Sequence, residues 1–156
     1  DATNDAAVQK IYALKQREES KSMIVLMHSE RLVHSVFHQI PEVAWQLLEF
    51  ATKPTTLILD HPKNVAANLI SDDNSLGMRL VTEPFCYQLM ERMKRPLVST
   101  SANISGAPTP NTYHQIHPDI VQGVDYVVQL HHDRVTSKPS TIIKLTLDAQ
   151  VRVIRK

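Results

Sequence analysis

Three hydroxyls and a carboxamide crowd into Ser99-Thr100-Ser101-Ala102-Asn103, directly after the apolar pair Leu97-Val98. Pro96 precedes that pair, and a Gly/Pro-rich stretch to Pro110 follows, which no regular element can occupy. An apolar strand ending in small hydrogen-bonding side chains is how open α/β sheets present ligand sites. Ser101 and Asn103 offer a hydroxyl and an amide suited to phosphate oxygens or a carbamate. A Ser/Asn-rich turn capping the next segment has the same composition. These residues alone leave both readings open.

Lys15 and Arg17 stand two apart at the end of a helical pattern. As a point charge and a bidentate fork they can grip one polyphosphate, or simply form a solvated helix terminus. Lys21 is a further cation that can steer anions. Arg79 falls in a strand pattern, where an unpaired charge is expensive, so it must meet an anion or an acid. Ser140 and Thr141 head another strand. Arg155 lies beside the C-terminal residue, where arginines are commonly solvated. His34 and His38 are spaced to chelate on one helix face, but no third ligand has recognisable spacing, so no metal site is expected. His131-His132-Asp133 reads as a solvated loop, and Cys86 as a small core residue rather than a nucleophile.

The elements that must position these groups follow from hydropathy. Thr3 or Asn4 caps a helix to about Leu14, with Ala7, Val8, Ile11 and Leu14 as its apolar stripe. Met23–Met27 reads as a strand covered on both faces. Helices follow from Ser29 and from Pro41, the second burying Val43, Ala44, Leu47, Leu48 and Ala51. Thr55–Leu59 and Leu76–Val81 read as strands. Thr82 caps a helix that turns Phe85, Leu89, Met90 and Met93 inward. A helical turn is expected at Tyr113–Ile116, and strands at Leu97–Val98, Val124–Leu130, Ser140–Leu145 and Val151–Arg155. The mixture predicts an α/β (α+β) domain, a twisted mixed sheet with flanking helices.

Totals narrow the classes. The 156 residues make one domain with room for a sizeable core, and the net charge of +1 gives no bulk field that compels nucleic-acid binding. One cysteine excludes an internal disulfide and a cysteine zinc cluster, and three glycines exclude a Walker loop or a G-x-G-x-x-G fingerprint. No apolar run reaches membrane-spanning length and no signal peptide is visible, so no membrane partner and a cytoplasmic location are expected.

An ordered set of stretches resembles the YrdC family: Asp1-Ala2-Thr3-Asn4 leading into Ala7–Lys15, Lys15-x-Arg17, Ser22–Leu26, Pro54–Leu59, Leu76–Leu80, Pro96–Gly106, Pro139–Ile143 and Val153–Arg155. The Ser-Thr-Ser-Ala-Asn-x-Ser-Gly run is the most specific piece. The resemblance implies a twisted, mostly open sheet around a concave, positively lined cavity. It implies a threonylcarbamoyl-AMP synthase, a nucleotidyltransferase that joins L-threonine, bicarbonate and ATP and releases pyrophosphate. Its product serves threonylcarbamoyl modification of an adenosine in tRNA, through downstream transfer machinery. Carried over by motif, Lys15 and Arg17 are catalytic. Lys15, Arg17, Ser101, Asn103 and Arg155 bind the nucleotide. Arg79, Ser140 and Thr141 bind substrate. Mg²⁺ accompanies ATP, because two or three cations cannot neutralise a polyphosphate.

The chain departs from the family pattern in places. Glu18 replaces a proline after Lys-x-Arg, and Thr52-Lys53-Pro54-Thr55 replaces a Pro-Gly-Pro run. The family's Pro-Thr-[Asp/Glu]-Thr segment, which would precede Asp1, is not in the sequence. Residues 1–156 are therefore expected to be a single, N-terminally incomplete domain. Alternative readings are a paralogue with carbamoyl-adenylate chemistry fed by carbamoyl phosphate, and a non-catalytic module for double-stranded RNA or tRNA. The aromatic content of 5% leaves few stacking platforms for the latter.

Overall fold

The computed structural model describes residues 1–19, 22–135 and 140–156. Lys21, and Pro139 of the Pro139–Ile143 motif, lie outside the described residues. Six strands form one mixed sheet: β1 Ile24–Met27, β2 Thr55–Asp60, β3 Ser75–Leu80, β4 Leu97–Ser99, β5 Thr141–Leu145 and β6 Val151–Arg155. Their order across the sheet is β4-β1-β3-β2-β5-β6. The β1–β3 and β2–β5 pairs are parallel, and the other three are antiparallel. The helices are α1 Asp5–Lys15, α2 Glu30–Val36, α3 Glu42–Glu49, α4 Pro84–Met93 and α5 Pro118–Gly123.

Alternation along the strands gives the sheet two unlike faces. Val25 and Met27, Leu57 and Leu59, Leu76 and Met78, and Ile143 and Leu145 are buried together with Val8, Tyr12, Val33, Val36, Ala44 and Met90 from the helices. The other face carries Ser99, Ile24, Gly77, Ile58 and Lys144 in register across five strands. A hollow of ≈ 610 Å³ lies over it, lined in part by Ser22, Ile24, Thr56, Gly77, Lys144 and Arg152. Arg79 and Lys144 put positive charge on this open face.

Local chemistry explains most element ends. Asn4 caps α1 by accepting from the Ala7 N–H at 3.0 Å, and Ser29 caps α2 by accepting from Leu32. The cap of α4 is Glu83, not Thr82: its carboxylate accepts from the Cys86 N–H at 2.8 Å and suits the positive helix end. On α4 only Met90 is buried, and Phe85 and Leu89 face outward. Ala51 is likewise exposed beyond the end of α3.

The Val124–Leu130 strand does not form. The Val127 carbonyl accepts from the Gln129 side chain at 3.1 Å, and the Val128 carbonyl is 2.8 Å from His132 Nε2. Side chains thus take acceptors that a ladder would have used, and β-propensity without a partner strand makes no sheet. Directly before it, α5 starts at Pro118, a first-turn position where a missing N–H does no harm.

Candidate functional site

Lys15 ends α1, and the next residue, Gln16, is left-handed at φ 50°. That reversal sends Lys15 inward and Arg17 away from it. Lys15 is buried, and its ammonium donates to the carbonyl oxygens of Ser101 and of Asn103 (2.6 Å for the latter), with Asn103 Oδ1 at 3.4 Å. The Ser105 N–H donates to the Lys15 carbonyl at 2.8 Å. Ser101 Oγ donates to Asn103 Oδ1, whose amide nitrogen donates to the Ala107 carbonyl at 2.6 Å. The polar loop after β4 is thus folded around one buried cation. Burial, and then the nearby charge of Arg17, push the Lys15 pKa down.

Arg17 donates to the Ser22 carbonyl at 3.0 Å, and the Ser22 hydroxyl is 2.8 Å from that of Ser71. Ser22 and Ser71 both line the open-face hollow, so Arg17 sits near its rim. Lys15 and Arg17 therefore share an electrostatic neighbourhood but grip different segments. A second cavity of ≈ 660 Å³ borders the loop, with Gln16, Asn103, Ile104, Pro108 and Gln115 in its walls.

Two strands away, four residues converge. Arg79 donates to Thr56 Oγ1 from Nε at 3.2 Å and from one terminal nitrogen, NH2, at 3.0 Å. The same NH2 donates to Ser140 Oγ at 2.8 Å. Arg155 donates from NH2 to Ser140 Oγ at 3.3 Å and from Nε to the Ser140 carbonyl at 3.0 Å. No carboxylate pairs with either guanidinium among the described residues. Burial, and then Arg155 beside it, disfavour the protonated form of Arg79.

Hydrogen-bond capacity shows what this cluster lacks. Each hydroxyl oxygen has two lone pairs, and the N–H donors from Arg79 and Arg155 give two bonds to Thr56 and two to Ser140. The two hydroxyls are also hydrogen-bonded to each other at 3.2 Å, which uses one of their protons and leaves the other without an acceptor among the described residues. It is a seat rich in donors and positive charge. An anionic oxygen is the group that would satisfy it.

The structure brings Arg79, Ser140 and Arg155 together and places Lys15, Ser101 and Asn103 together in the other cluster. It does not bring Thr141 in. Alternation turns Thr141 to the face shared with Ile143 and Leu145, opposite Ser140, and its backbone N–H donates to the Pro54 carbonyl at 3.0 Å. Thr56 was quoted above only within a motif. A hydroxyl alternating with the apolar Leu57 in a strand was its one available signal. Between the clusters run β1 and Gly77, where an added Cβ would lie 3.0 Å from Ile24 Cγ2. Two strand spacings, about 10 Å, separate β4 from β3.

The other candidates fall away. His34 lies 3.6 Å from Glu30, and His38 Nδ1 is 3.1 Å from Lys63 Nζ. No group of potential metal ligands gathers among the described residues. His132 is half-buried and stacked on Tyr113 at 3.9 Å, not simply solvated. Burial, and then Glu83, push the Cys86 thiol up, which leaves it a poor nucleophile. No described helix is long and apolar enough to cross a membrane.

Sequence reasoning also missed Asp73, which pairs with Lys144 at 2.5 Å on the open face. Its carboxyl is held below its ordinary value, first by the Lys144 hydrogen bond and then by that of Ser75. A depressed carboxyl adds stability that is complete above 3.8 and lost as pH falls through its folded value. Asp73 is half-exposed, so this is worth under about 1 kcal/mol. Urea unfolding of Asp73→Asn should therefore show a small deficit at neutral pH that closes as the pH falls through the carboxyl's folded value, below 3.8.

Comparison with known proteins places this geometry. A family model of the Sua5/YciO/YrdC proteins, described as "Telomere recombination", matches residues 1–156. A Methanocaldococcus jannaschii protein provisionally named a threonylcarbamoyl-AMP synthase is 30% identical over 98% of this chain and 71% of its own length. The Histophilus somni threonylcarbamoyl-AMP synthase is 30% identical over 96% of this chain and 82% of its own. The Pyrococcus abyssi Sua5 structure complexed with L-threonine superposes with a TM-score of 0.82 at 26% identity. It is matched over 93% of this chain but 43% of that longer one.

Proposed function

The chain belongs to the Sua5/YciO/YrdC family, and on that premise we propose that its open sheet face makes threonylcarbamoyl-AMP from L-threonine, bicarbonate and ATP. One observation carries the reading: two guanidiniums converge on Ser140 with no carboxylate partner among the described residues, across β1 from a small-residue loop at a strand end. The relatives' names supply the reaction class.

In this reading the threonine amine and bicarbonate give a carbamate and water. A carbamate oxygen attacks the α-phosphorus, the bond to the bridging oxygen breaks, and pyrophosphate leaves with the electron pair. Charge accumulates on oxygens throughout, so the protein's task is to position anions and neutralise them. Arg79 and Ser140 hold the threonine carboxylate, and Arg155 adds positive charge to that seat from β6, on the side of Ser140 away from the β4 loop. Ser101 and Asn103 shape the wall that faces the nucleotide, Arg17 faces the departing phosphates, and Lys15 fixes that wall. ATP would bring Mg²⁺ to neutralise polyphosphate charge that these cations do not cover, and no group of protein ligands for it gathers among the described residues.

The product would be passed to the machinery that modifies tRNA. The test is pyrophosphate release by the protein supplied with ATP, Mg²⁺, bicarbonate and L-threonine. Release should depend on threonine. Release with carbamoyl phosphate replacing threonine and bicarbonate would instead assign carbamoyl-adenylate chemistry. Salt-dependent RNA affinity without nucleotide turnover would assign an RNA-binding module.

A further inference from the structure

We propose that Thr56 is the positioning residue that aims Arg79 at the carboxylate of the amino-acid substrate. The inference rests on the synthase reading above and gives a role to a residue that the motifs contained but assigned none. Thr56 is 1% exposed, the second residue of β2, a strand whose Leu57 and Leu59 belong to the core. A buried hydroxyl normally donates once and accepts at most twice. Here the oxygen accepts twice from a single partner, the Nε and NH2 edge of Arg79, at 3.2 and 3.0 Å, beside a 3.2 Å hydrogen bond with Ser140 Oγ.

That grip fixes the plane of the guanidinium. Thr56 takes one edge and Ser140 takes the remaining NH2 proton at 2.8 Å, leaving the second terminal nitrogen, NH1, without a partner among the described residues. A planar group held along one side and one end presents NH1, with its two protons, in a fixed direction, where it can donate to an anionic oxygen. Arg155 pushes electrostatically on Arg79, so without Thr56 the flexible arginine stem would swing its charge away. Thr56 works through Arg79 and need not touch the substrate.

Thr56→Val preserves the shape and removes both acceptors, whereas Thr56→Ser preserves the hydroxyl. In threonine-dependent pyrophosphate release, Thr56→Val should raise KM for threonine about tenfold or more and change kcat less than about threefold. Thr56→Ser should restore KM to within about threefold of the parent. In an Arg79→Lys background, Thr56→Val should add less than about twofold, because the fork it orients is gone. Unchanged KM in Thr56→Val, no restoration by Thr56→Ser, or additive losses in the double variant would overturn the inference.

Titration of the full chain with inorganic phosphate, followed calorimetrically, separates this claim from the reaction it rests on. If the parent protein released no threonine-dependent pyrophosphate, the synthase reading would fall, yet Thr56→Val should still bind phosphate about tenfold more weakly than the parent. Equal affinities, or no phosphate binding by the parent, would overturn the positioning role itself.

Discussion

Arg79→Met should reduce threonine-dependent pyrophosphate release by about 10²–10³-fold in kcat/KM while leaving the fold at least as stable as before. The loss follows from the type of bond removed. Hydrogen bonds to a charged group contribute about 1.5–3 kcal/mol each, and the two protons of NH1 are the ones Arg79 keeps for the substrate anion. Stability should move the other way. Arg79 is partly desolvated, is pressed by Arg155, and among the described residues has hydroxyls but no acid for partners. Burying like charges together costs free energy that substrate, not the fold, recovers. Methionine fills the stem's volume without the charge, so the unfolding midpoint in urea should hold or rise slightly. Arg79→Lys, a point charge without the fork, should fall between parent and Met variant in activity. A structural ion-pair role for Arg79 predicts the reverse pattern, with stability lost and activity spared, and the two measurements together decide between them.

The opposing signs say why this cluster was only half legible in the sequence. An arginine in a strand pattern announces an unmet charge, and Ser140 at a strand head announces a hydroxyl. Neither announces that the topology sets β3 and β5 on either side of β2, which is what brings them together with Thr56. Period-two alternation did contain the information that Ser140 and Thr141 face opposite ways. Grouping them as a pair by motif overrode it. The strands with apolar runs, Ile24–Met27 and Thr55–Asp60, were readable because burial on the helix side writes itself into composition. Val127 and Val128 show the limit of that signal. They have strand composition, but Gln129 and His132 take their carbonyls, and no strand among the described residues pairs with them.

The loop after β4 was readable as polar and irregular, though not as a loop wrapped around a lysine. The reason is local: Gln16 takes the left-handed conformation at the end of α1, a position usually marked by glycine. Nothing in Lys15-Gln16-Arg17 advertises that the two cations part company there. In the folded chain the two cations divide, Lys15 latching the loop and Arg17 marking the rim of the hollow.

That division makes Lys15→Met the second large effect. Removing the ammonium strands the Ser101 and Asn103 carbonyls and unlatches the loop from α1, at a cost of about 2–3 kcal/mol. For a domain of this size the melting temperature should fall by about 4–12 °C. Nucleotide-dependent activity should fall by about 100-fold or more, because the wall holding Ser101 and Asn103 no longer keeps one shape. Lys15→Arg should not rescue, since a planar fork cannot satisfy acceptors arranged around a compact ammonium. The pH dependence gives a second check. The folded state holds the Lys15 proton less tightly than the unfolded chain, so the parent gains stability as pH rises toward the ordinary lysine value of 10.5. Lys15→Met cannot make that gain. The stability gap between parent and variant should therefore widen from neutral toward alkaline pH, where groups common to both cancel. A gap that stays constant would mean that the ammonium is not held in a buried cradle, and one that closes would put it in solvent-exposed contact with an acid.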